Sequence, residues 1–561
     1  MTTRFLAPWL VLAFLAACGG SGGPAPDATA DPGIVLPDGT APDPGPADAG
    51  GDARPDGGGT ADAPDTGTDA PAGDLPPADP APGDAPDDPG PGTDPGAETA
   101  ADPGADTGSD PGADAGEEPA WNGLFDPDRI RDPDTAACTF SNPRSALKDG
   151  VLLDVWDVSY RSWESIGGAL RPITIRGFAA RPKGGGQTLP GVVQAHGLGG
   201  YAEESHATGT AALLGTFVLA YTGPGGGTDA TNTSEGIPAS HDDGYRMFDT
   251  LADPRGSWFW GHAVAGLRGL TCLADRPDVD PTRMGMTGFS AGGVVTLIGA
   301  AVDDRIRAAV PLSACGAWDV AVQAPGAWQR NLLTLAGLTV ASPEWTTLID
   351  TIDSSRLLPA TTARILMVNG SADEFFPLTA HDATFAAIPG DAKRTAIAGN
   401  FDHGCYTVLA PENKDVIEAR AEVAAKGGQR MWFANAFGTD ADFAYVPLAP
   451  QNLTFTQVGN VWIAHVVVDG GGANLSVDAV RLWASTDAKV WASLELESKG
   501  SGIWGTRNDA FVPQDPATLV HYVDVTYRTN ALINPHRFSI STRPTFPAGH
   551  VPTIRDMQSC L

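Results

Sequence analysis

The sequence predicts an α/β chain with a mostly parallel sheet, and three observations lead there. Short apolar runs alternate with helix-period segments between residues 190 and 400. One of these runs, Arg283–Thr287, passes directly into Gly288-Phe289-Ser290-Ala291-Gly292, which fits G-x-S-x-G. A small-residue apolar run, Val294 to Val302, then follows as a helix. A nucleophilic serine needs that order, because it must project from a strained strand-to-helix turn. Its flanking glycines remove Cβ atoms that would clash there.

The elements before this turn read in order. Arg4 and the apolar run Phe5 to Ala17 form an export signal too short to span a bilayer comfortably. It ends Leu15-Ala16-Ala17-Cys18, the pattern of a bacterial lipobox, with Cys18 as the acylated residue. Gly19 is not the aspartate of an inner-membrane retention signal, so an outer-membrane or cell-surface location is expected. Residues 19–118 are Asp, Pro, Gly, Ala and Thr with almost no large apolar side chains. Such a segment buries too little to offset its ordering entropy and reads as a disordered tether. A flexible coil of that length reaches about 50–60 Å.

The catalytic region is expected over residues 119–445. Val151–Tyr160 and Ile173–Ala180 are β-rich, with a turn at Arg181–Gly186. Pro190–Ala195 is a buried-type strand running into His196-Gly197-Leu198-Gly199-Gly200. A loop of that kind offers backbone N–H groups, and the expected oxyanion donors are the N–H groups of Leu198 and Ala291. His196 is read as a brace for its loop. A helix at Thr208–Leu214 and a strand at Thr216–Tyr221 come next. The loop Thr222–Gly227 lacks G-K-[ST] and reads as a backbone turn at a pocket rim. Trp258–Ala274 has apolar residues at helical spacing, and Ile306–Leu312 is the following strand. Residues 316–357, with Trp318, Trp328 and Trp345, are either a cap over the pocket or additional helical packing.

The strand Arg364–Val368 ends in Asn369-Gly370-Ser371-Ala372-Asp373-Glu374. A carboxylate after a late strand is the expected partner of a base, and Asp373 is the choice. Glu374 is its nearest rival, and Asp319 and Asp353 are further ones. A helix over Leu378–Ile388 and a strand over Arg394–Ala398 lead to Gly399-Asn400-Phe401-Asp402-His403. His403 is the expected base. The order Ser290, Asp373, His403 suits nucleophilic acyl transfer: His403 takes the serine proton and Asp373 fixes the imidazole tautomer. His206, His241, His262 and His381 have no such positional logic. No metal and no cofactor is expected, since no His/carboxylate cluster has ligand spacing.

Residues 446–561 change to short alternating strands: Leu453–Val458, Val461–Val468, Ala479–Ala484, Val490–Glu497 and Tyr522–Tyr527. They read as an antiparallel β-sandwich. Its role is either packing on the catalytic region or carbohydrate binding through Trp483, Trp491 or Trp504. With Cys18 lipidated, five cysteines remain; Cys315–Cys405 and Cys138–Cys560 are candidate pairs. The net charge of -33 over 561 residues argues against nucleic acid as a partner.

Pro190 to Cys405 resembles the α/β-hydrolase superfamily. The span DVDPTRMGMTGFSAGG, and WFWGHAVAGLRGLTCLADRPDVD overlapping it, are most similar to the acetyl xylan esterase and prolyl oligopeptidase branches, which are dienelactone hydrolase-like. The resemblance implies a serine hydrolase. Prolyl oligopeptidases carry a β-propeller before the hydrolase domain, where this chain has a tether, and that favours an esterase. VRLWAST and FSISTRP are similar to the tail of the PhoPQ-activated pathogenicity-related hydrolases. The expected function is hydrolysis of carboxylic esters at the cell surface, with acetylated polysaccharide as a candidate substrate. An exported serine peptidase and a non-catalytic surface binding protein are the alternatives.

Overall fold

The computed structural model describes residues 121–184, 188–241, 244–404, 412–507, 510–532 and 534–554. Cys18, the tether 19–118, Gly185 and Gly186, the side chain of His241, Cys405 and Cys560 lie outside the described residues.

The catalytic region is built on nine strands: β1 (Thr139–Lys148), β2 (Val151–Ile166), β3 (Ala169–Pro182), β4 (Leu189–Ala195), β5 (Phe217–Tyr221), β6 (Val279–Phe289), β7 (Ile306–Leu312), β8 (Arg364–Gly370) and β9 (Lys393–Ala398). Their spatial order is β1-β2-β3-β5-β4-β6-β7-β8-β9. The first three run antiparallel to their neighbours, and β5 through β9 are parallel. Helices α1 (Glu204–Leu214), α2 (Trp258–Ala274) and α3 (Ala291–Val302) make the crossovers from β4 to β5, β5 to β6 and β6 to β7. Both faces of this sheet are covered, so its central strands lack polar alternation. In β5, Phe217, Leu219 and Tyr221 enter one buried cluster with α2 and α3, while Val218 and Ala220 enter another with α1.

Helix α2 is buried along almost its whole length. Its Arg268 is fully enclosed, donates to the carbonyls of Arg129 and Asp132 at 2.6 and 2.7 Å, and lies 4.5 Å from the Trp163 ring centroid. That satisfies a buried cation with backbone acceptors and an aromatic face. The same helix carries Cys272, which is bonded to Cys138 across 134 residues of sequence. The candidate pairing Cys138–Cys560 is therefore replaced by Cys138–Cys272. Cys315 is a buried free thiol, so the pairing Cys315–Cys405 does not hold either. Cys315 stays within the apolar core, where packing and not bond formation decides its environment.

The antiparallel C-terminal strands are β10 (Gln451–Val458), β11 (Val461–Val467), β12 (Leu475–Ser485), β13 (Ala492–Gly500), β14 (Ile503–Thr506), β15 (Val520–Thr529) and β16 (Arg537–Ser541). They follow β9 in the order β16-β15-β12-β13-β14-β11-β10. The join is a single antiparallel register, Thr395 on β9 opposite Ser541 on β16. The side chain of Ser541 fixes it twice, accepting from the Ile397 N–H at 2.9 Å and donating to Asp524 at 3.0 Å. The parallel sheet and the antiparallel C-terminal strands are thus continuous through one strand edge. Among the described residues, no helix is long and apolar enough to cross a membrane.

Candidate active site

The carboxyl ends of the parallel strands converge, which is where a sheet of this kind gathers its reactive groups. Strand β4 delivers the loop 196–200, β6 delivers Ser290, β8 delivers Asp373, and β9 delivers His403.

Ser290 sits between β6 and α3 with φ 57° and ψ -123°. A non-glycine residue in that region is strained, and the surroundings must hold it. They do so on both sides. The Ser290 N–H donates to the Leu312 carbonyl on β7 at 3.0 Å, and its own carbonyl accepts from Val294 at 3.0 Å. The flanking glycines fit because they lack side chains. A Cβ on Gly288 would stand 2.5 Å from the Gly292 carbonyl oxygen, and one on Gly292 would stand 2.3 Å from the Ala195 carbonyl oxygen. These obstacles are backbone, so Gly292→Ala must move β4 away from the turn. We expect Gly292→Ala to lower turnover of a simple ester at least about a hundredfold, through a misplaced nucleophile. It should also destabilise the fold by about 1–3 kcal/mol of overpacking. Unchanged turnover and melting temperature would contradict that tight approach.

His403 Nε2 lies 2.9 Å from Ser290 Oγ, and its Nδ1 lies 3.1 Å from both oxygens of Asp373. With Nδ1–H donating to the carboxylate, the Nε2 lone pair faces the serine hydroxyl; this tautomer is assigned from the network. Asp373 is fixed by the N–H groups of Phe375 and Phe376, which donate to its Oδ1 at 3.0 and 2.9 Å. Burial pulls the imidazolium of His403 down. The charge and hydrogen bond of Asp373, with Glu374 and Asp402, outweigh this and leave its pKa raised.

The rival acids fall elsewhere. Glu374 is fully buried and turns to the backbone, where it accepts the His403 N–H at 3.0 Å. Burial and the adjacent Asp373 push its carboxyl up to about 7. Asp353 accepts from the N–H groups of Ala317, Trp318 and Ser355, and Asp319 pairs with Arg356 at the surface. Neither is bonded to His403.

His196 braces its loop as expected. Its Nε2 accepts the Gly223 N–H at 2.8 Å, so Nδ1 carries the proton and donates to the Gly197 carbonyl at 2.7 Å. Burial pulls its pKa down to about 4, and His381 is drawn to about 4 in the same way. His262 is driven well below its ordinary value, again by burial. All three stay neutral near pH 7. The loop 196–200 abuts the serine turn: a Cβ on Gly197 would lie 3.3 Å from Ser290 Cβ. Leu198 occupies the tight turn closed by the Gly200 N–H on the Gly197 carbonyl at 3.0 Å. Ala291 opens α3, where the first N–H groups have no carbonyl one turn back.

An aromatic wall not singled out from the sequence surrounds the base. Phe375, Phe289 and Phe376 have ring centroids 4.4, 5.0 and 5.5 Å from His403. Trp328, from the segment 316–357, stacks on Phe375 at 5.3 Å. Its neighbour Gln329 donates to the Phe375 carbonyl at 2.9 Å. Through these contacts the helix Trp328–Leu335 packs on the residue that touches the base, and Trp318, Trp328 and Trp345 are all buried in one core with the sheet and its helices. Trp483 and Trp491 are 0% and 1% exposed, so neither offers a stacking surface for carbohydrate. Among the described residues, no group of three or more His, Cys, Asp or Glu could hold a metal.

Strand order, serine turn and hydrogen-bonded Ser-His-Asp line together define an α/β-hydrolase. The family model for acetyl xylan esterase (AXE1) matches residues 153–314. Over that stretch the chain is similar to the acetyl xylan esterase family. The acetyl xylan esterase from Paenibacillus sp. R4 is similar at 20% identity over 49% of this chain and 86% of its own, with a TM-score of 0.41. Acetyl xylan esterase 1 from Thermoanaerobacterium sp. JW/SL YS485 is similar at 19% identity over 53% and 91%, with a TM-score of 0.38. The Pyrococcus horikoshii acylaminoacyl peptidase is similar at 14% identity over 54% and 50%, with a TM-score of 0.36. No curated protein matches the chain.

Proposed function

We propose that this protein hydrolyses carboxylic esters, acetyl esters of polysaccharide among them, through an acyl-enzyme on Ser290. The observation that carries the reading is the line from Ser290 Oγ to His403 Nε2 at 2.9 Å and from Nδ1 to Asp373 at 3.1 Å. In the first step His403 Nε2 takes the hydroxyl proton while Ser290 Oγ bonds to the ester carbonyl carbon. The carbonyl oxygen becomes an oxyanion facing the N–H groups of Leu198 and Ala291. Collapse breaks the bond to the alcohol, which leaves with the proton from Nε2. Water then gives a proton to Nε2 and attacks the acyl carbon, and Ser290 recovers its proton as the acid departs. Asp373 holds the imidazole through both steps and stabilises the transient imidazolium. Phe289 and Phe375 place apolar rings beside the base, an environment compatible with the methyl of an acetyl group.

A fluorophosphonate probe tests the nucleophile directly. Mass spectrometry should find a single adduct, on Ser290, with p-nitrophenyl acetate turnover lost in step. An adduct elsewhere, or none, overturns the reading. Turnover of aminoacyl arylamides without ester turnover would instead indicate a peptidase.

The proposal extends to location. Leu15-Ala16-Ala17-Cys18 reads as a lipobox, so the enzyme is exported and held by lipid on Cys18. Cys18→Ser should release it from the membrane fraction of a bacterial host. Membrane retention of that variant would count against the anchor.

A further inference from the structure

We propose that Asn400 and Trp491 are positioning residues that hold the acid and base loops in register, so that the C-terminal strands form part of the active site. This rests on the Ser290–His403–Asp373 reading above. Asn400 lies three residues before His403, and Trp491 lies immediately before β13 in the C-terminal region. Their contact is reciprocal: the Trp491 N–H donates to Asn400 Oδ1 at 2.9 Å, and Asn400 Nδ2 donates to the Trp491 carbonyl at 2.9 Å. Asn400 Nδ2 also donates to Glu412 at 2.8 Å. The third member of the hub is Ser371, two residues before Asp373. Its hydroxyl accepts the Asn400 N–H at 2.8 Å, and its carbonyl accepts the Trp491 indole N–H at 3.0 Å.

One buried cluster therefore ties together the loop carrying the base, the loop carrying the acid and a strand hairpin some ninety residues further on. Asn400 and Trp491 are 2% and 1% exposed. Asn400 has φ 59°, a left-handed conformation that asparagine tolerates better than most residues. The neighbouring Gly399 leaves no room for slack: a Cβ there would meet the Trp483 ring at 2.3 Å. Arg420 closes the far side, donating to the Gly399 carbonyl at 2.8 Å and lying 4.5 Å from the Trp483 ring centroid. A short loop anchored at that many points transmits displacement directly to the imidazole.

The test is Asn400→Gly, which keeps the left-handed turn and removes the three side-chain bonds. It is compared with wild type and Ser290→Ala in the full chain, at temperatures where each is folded. We expect kcat for p-nitrophenyl acetate to fall about tenfold to a hundredfold, as for a small misplacement of a reacting group, with KM little changed. The rate of fluorophosphonate labelling should fall in parallel. The acid limb of the pH profile should move to lower pH as His403 loosens from Asp373. Trp491→Phe, which removes the indole donor and part of the ring while keeping the backbone bonds to Asn400, should shift the same three readouts in the same direction by less. A folded Asn400→Gly with wild-type kcat, labelling rate and acid limb, and only a lower melting temperature, overturns the proposal. If Asn400→Gly does not fold, Trp491→Phe decides by the same readouts. Full turnover by Ser290→Ala would overturn the underlying mechanism together with this proposal. An inactive Ser290→Ala beside an unaffected Asn400→Gly would overturn this proposal alone.

Discussion

Ser290→Ala is expected to lower kcat for p-nitrophenyl acetate by about 10⁵–10⁶-fold while leaving the melting temperature close to wild type. The chemical loss is large because no other group can take the role. Among the described residues, His403 Nε2 has Ser290 Oγ as its hydroxyl partner, at 2.9 Å. The residual rate comes from substrate binding and the donors for the oxyanion, which the variant keeps. The stability argument is separate. Alanine at this position retains the backbone bonds to Leu312 and Val294, and it removes only an oxygen in a nearly closed site. The strained φ of 57° remains, since alanine has the same Cβ. Its cost is carried by the sheet and the helix and not by the hydroxyl. Stopped-flow ester turnover beside thermal unfolding separates the two effects. A variant with more than about one-hundredth of wild-type kcat would place the nucleophile elsewhere.

The parallel core was legible because its signals are local. β7 and α2 begin and end at the residues the apolar periodicity marks, Ile306–Leu312 and Trp258–Ala274. The candidate site was legible for a related reason: each of its three side chains ends or follows a strand, and the strands fix the order. What the sequence hid is set by distant partners. β1 reads TFSNPRSALK, half exposed, with a proline inside it and a register shift between Ser141 and Arg144. An edge strand can carry such a sequence because one of its sides has no ladder to complete. The bond from Cys138 to Cys272 depends on where α2 lies over the N-terminal segment, and cysteine spacing does not encode that. Trp483 and Trp491 illustrate the same gap. Alternation identified their strands but not whether the outward face meets water or the turn at Gly399-Asn400. Two further helices, Lys414–Glu422 and Gly428–Phe437, joined through the π-helical turn Val423–Gly427, also escaped the pattern.

The sharpest test of how the site divides its two neighbouring carboxylates is Asp373→Asn against Glu374→Gln. Asp373→Asn is expected to cost about 10⁴-fold in kcat, with little change in fold. An amide can still accept the N–H groups of Phe375 and Phe376, but it no longer carries the charge that favours Nδ1–H and the imidazolium. The wrong tautomer then turns a ring N–H toward Ser290 Oγ. The pH profile should change with a defined sign. In the wild type, His403 works as the neutral base, so activity falls as pH drops through its raised pKa. Without the Asp373 charge that pKa declines, and the acid limb moves to lower pH even as the plateau collapses. Glu374→Gln should behave differently, because its side chain meets the His403 backbone N–H and not the ring. Its carboxyl, raised to about 7 by burial and by Asp373, is already partly neutral at that pH. A glutamine keeps an acceptor for the same N–H, so we expect a loss of about 1 kcal/mol, roughly fivefold in kcat. Equal losses in the two variants, or a larger one in Glu374→Gln, would reassign the acid of the site.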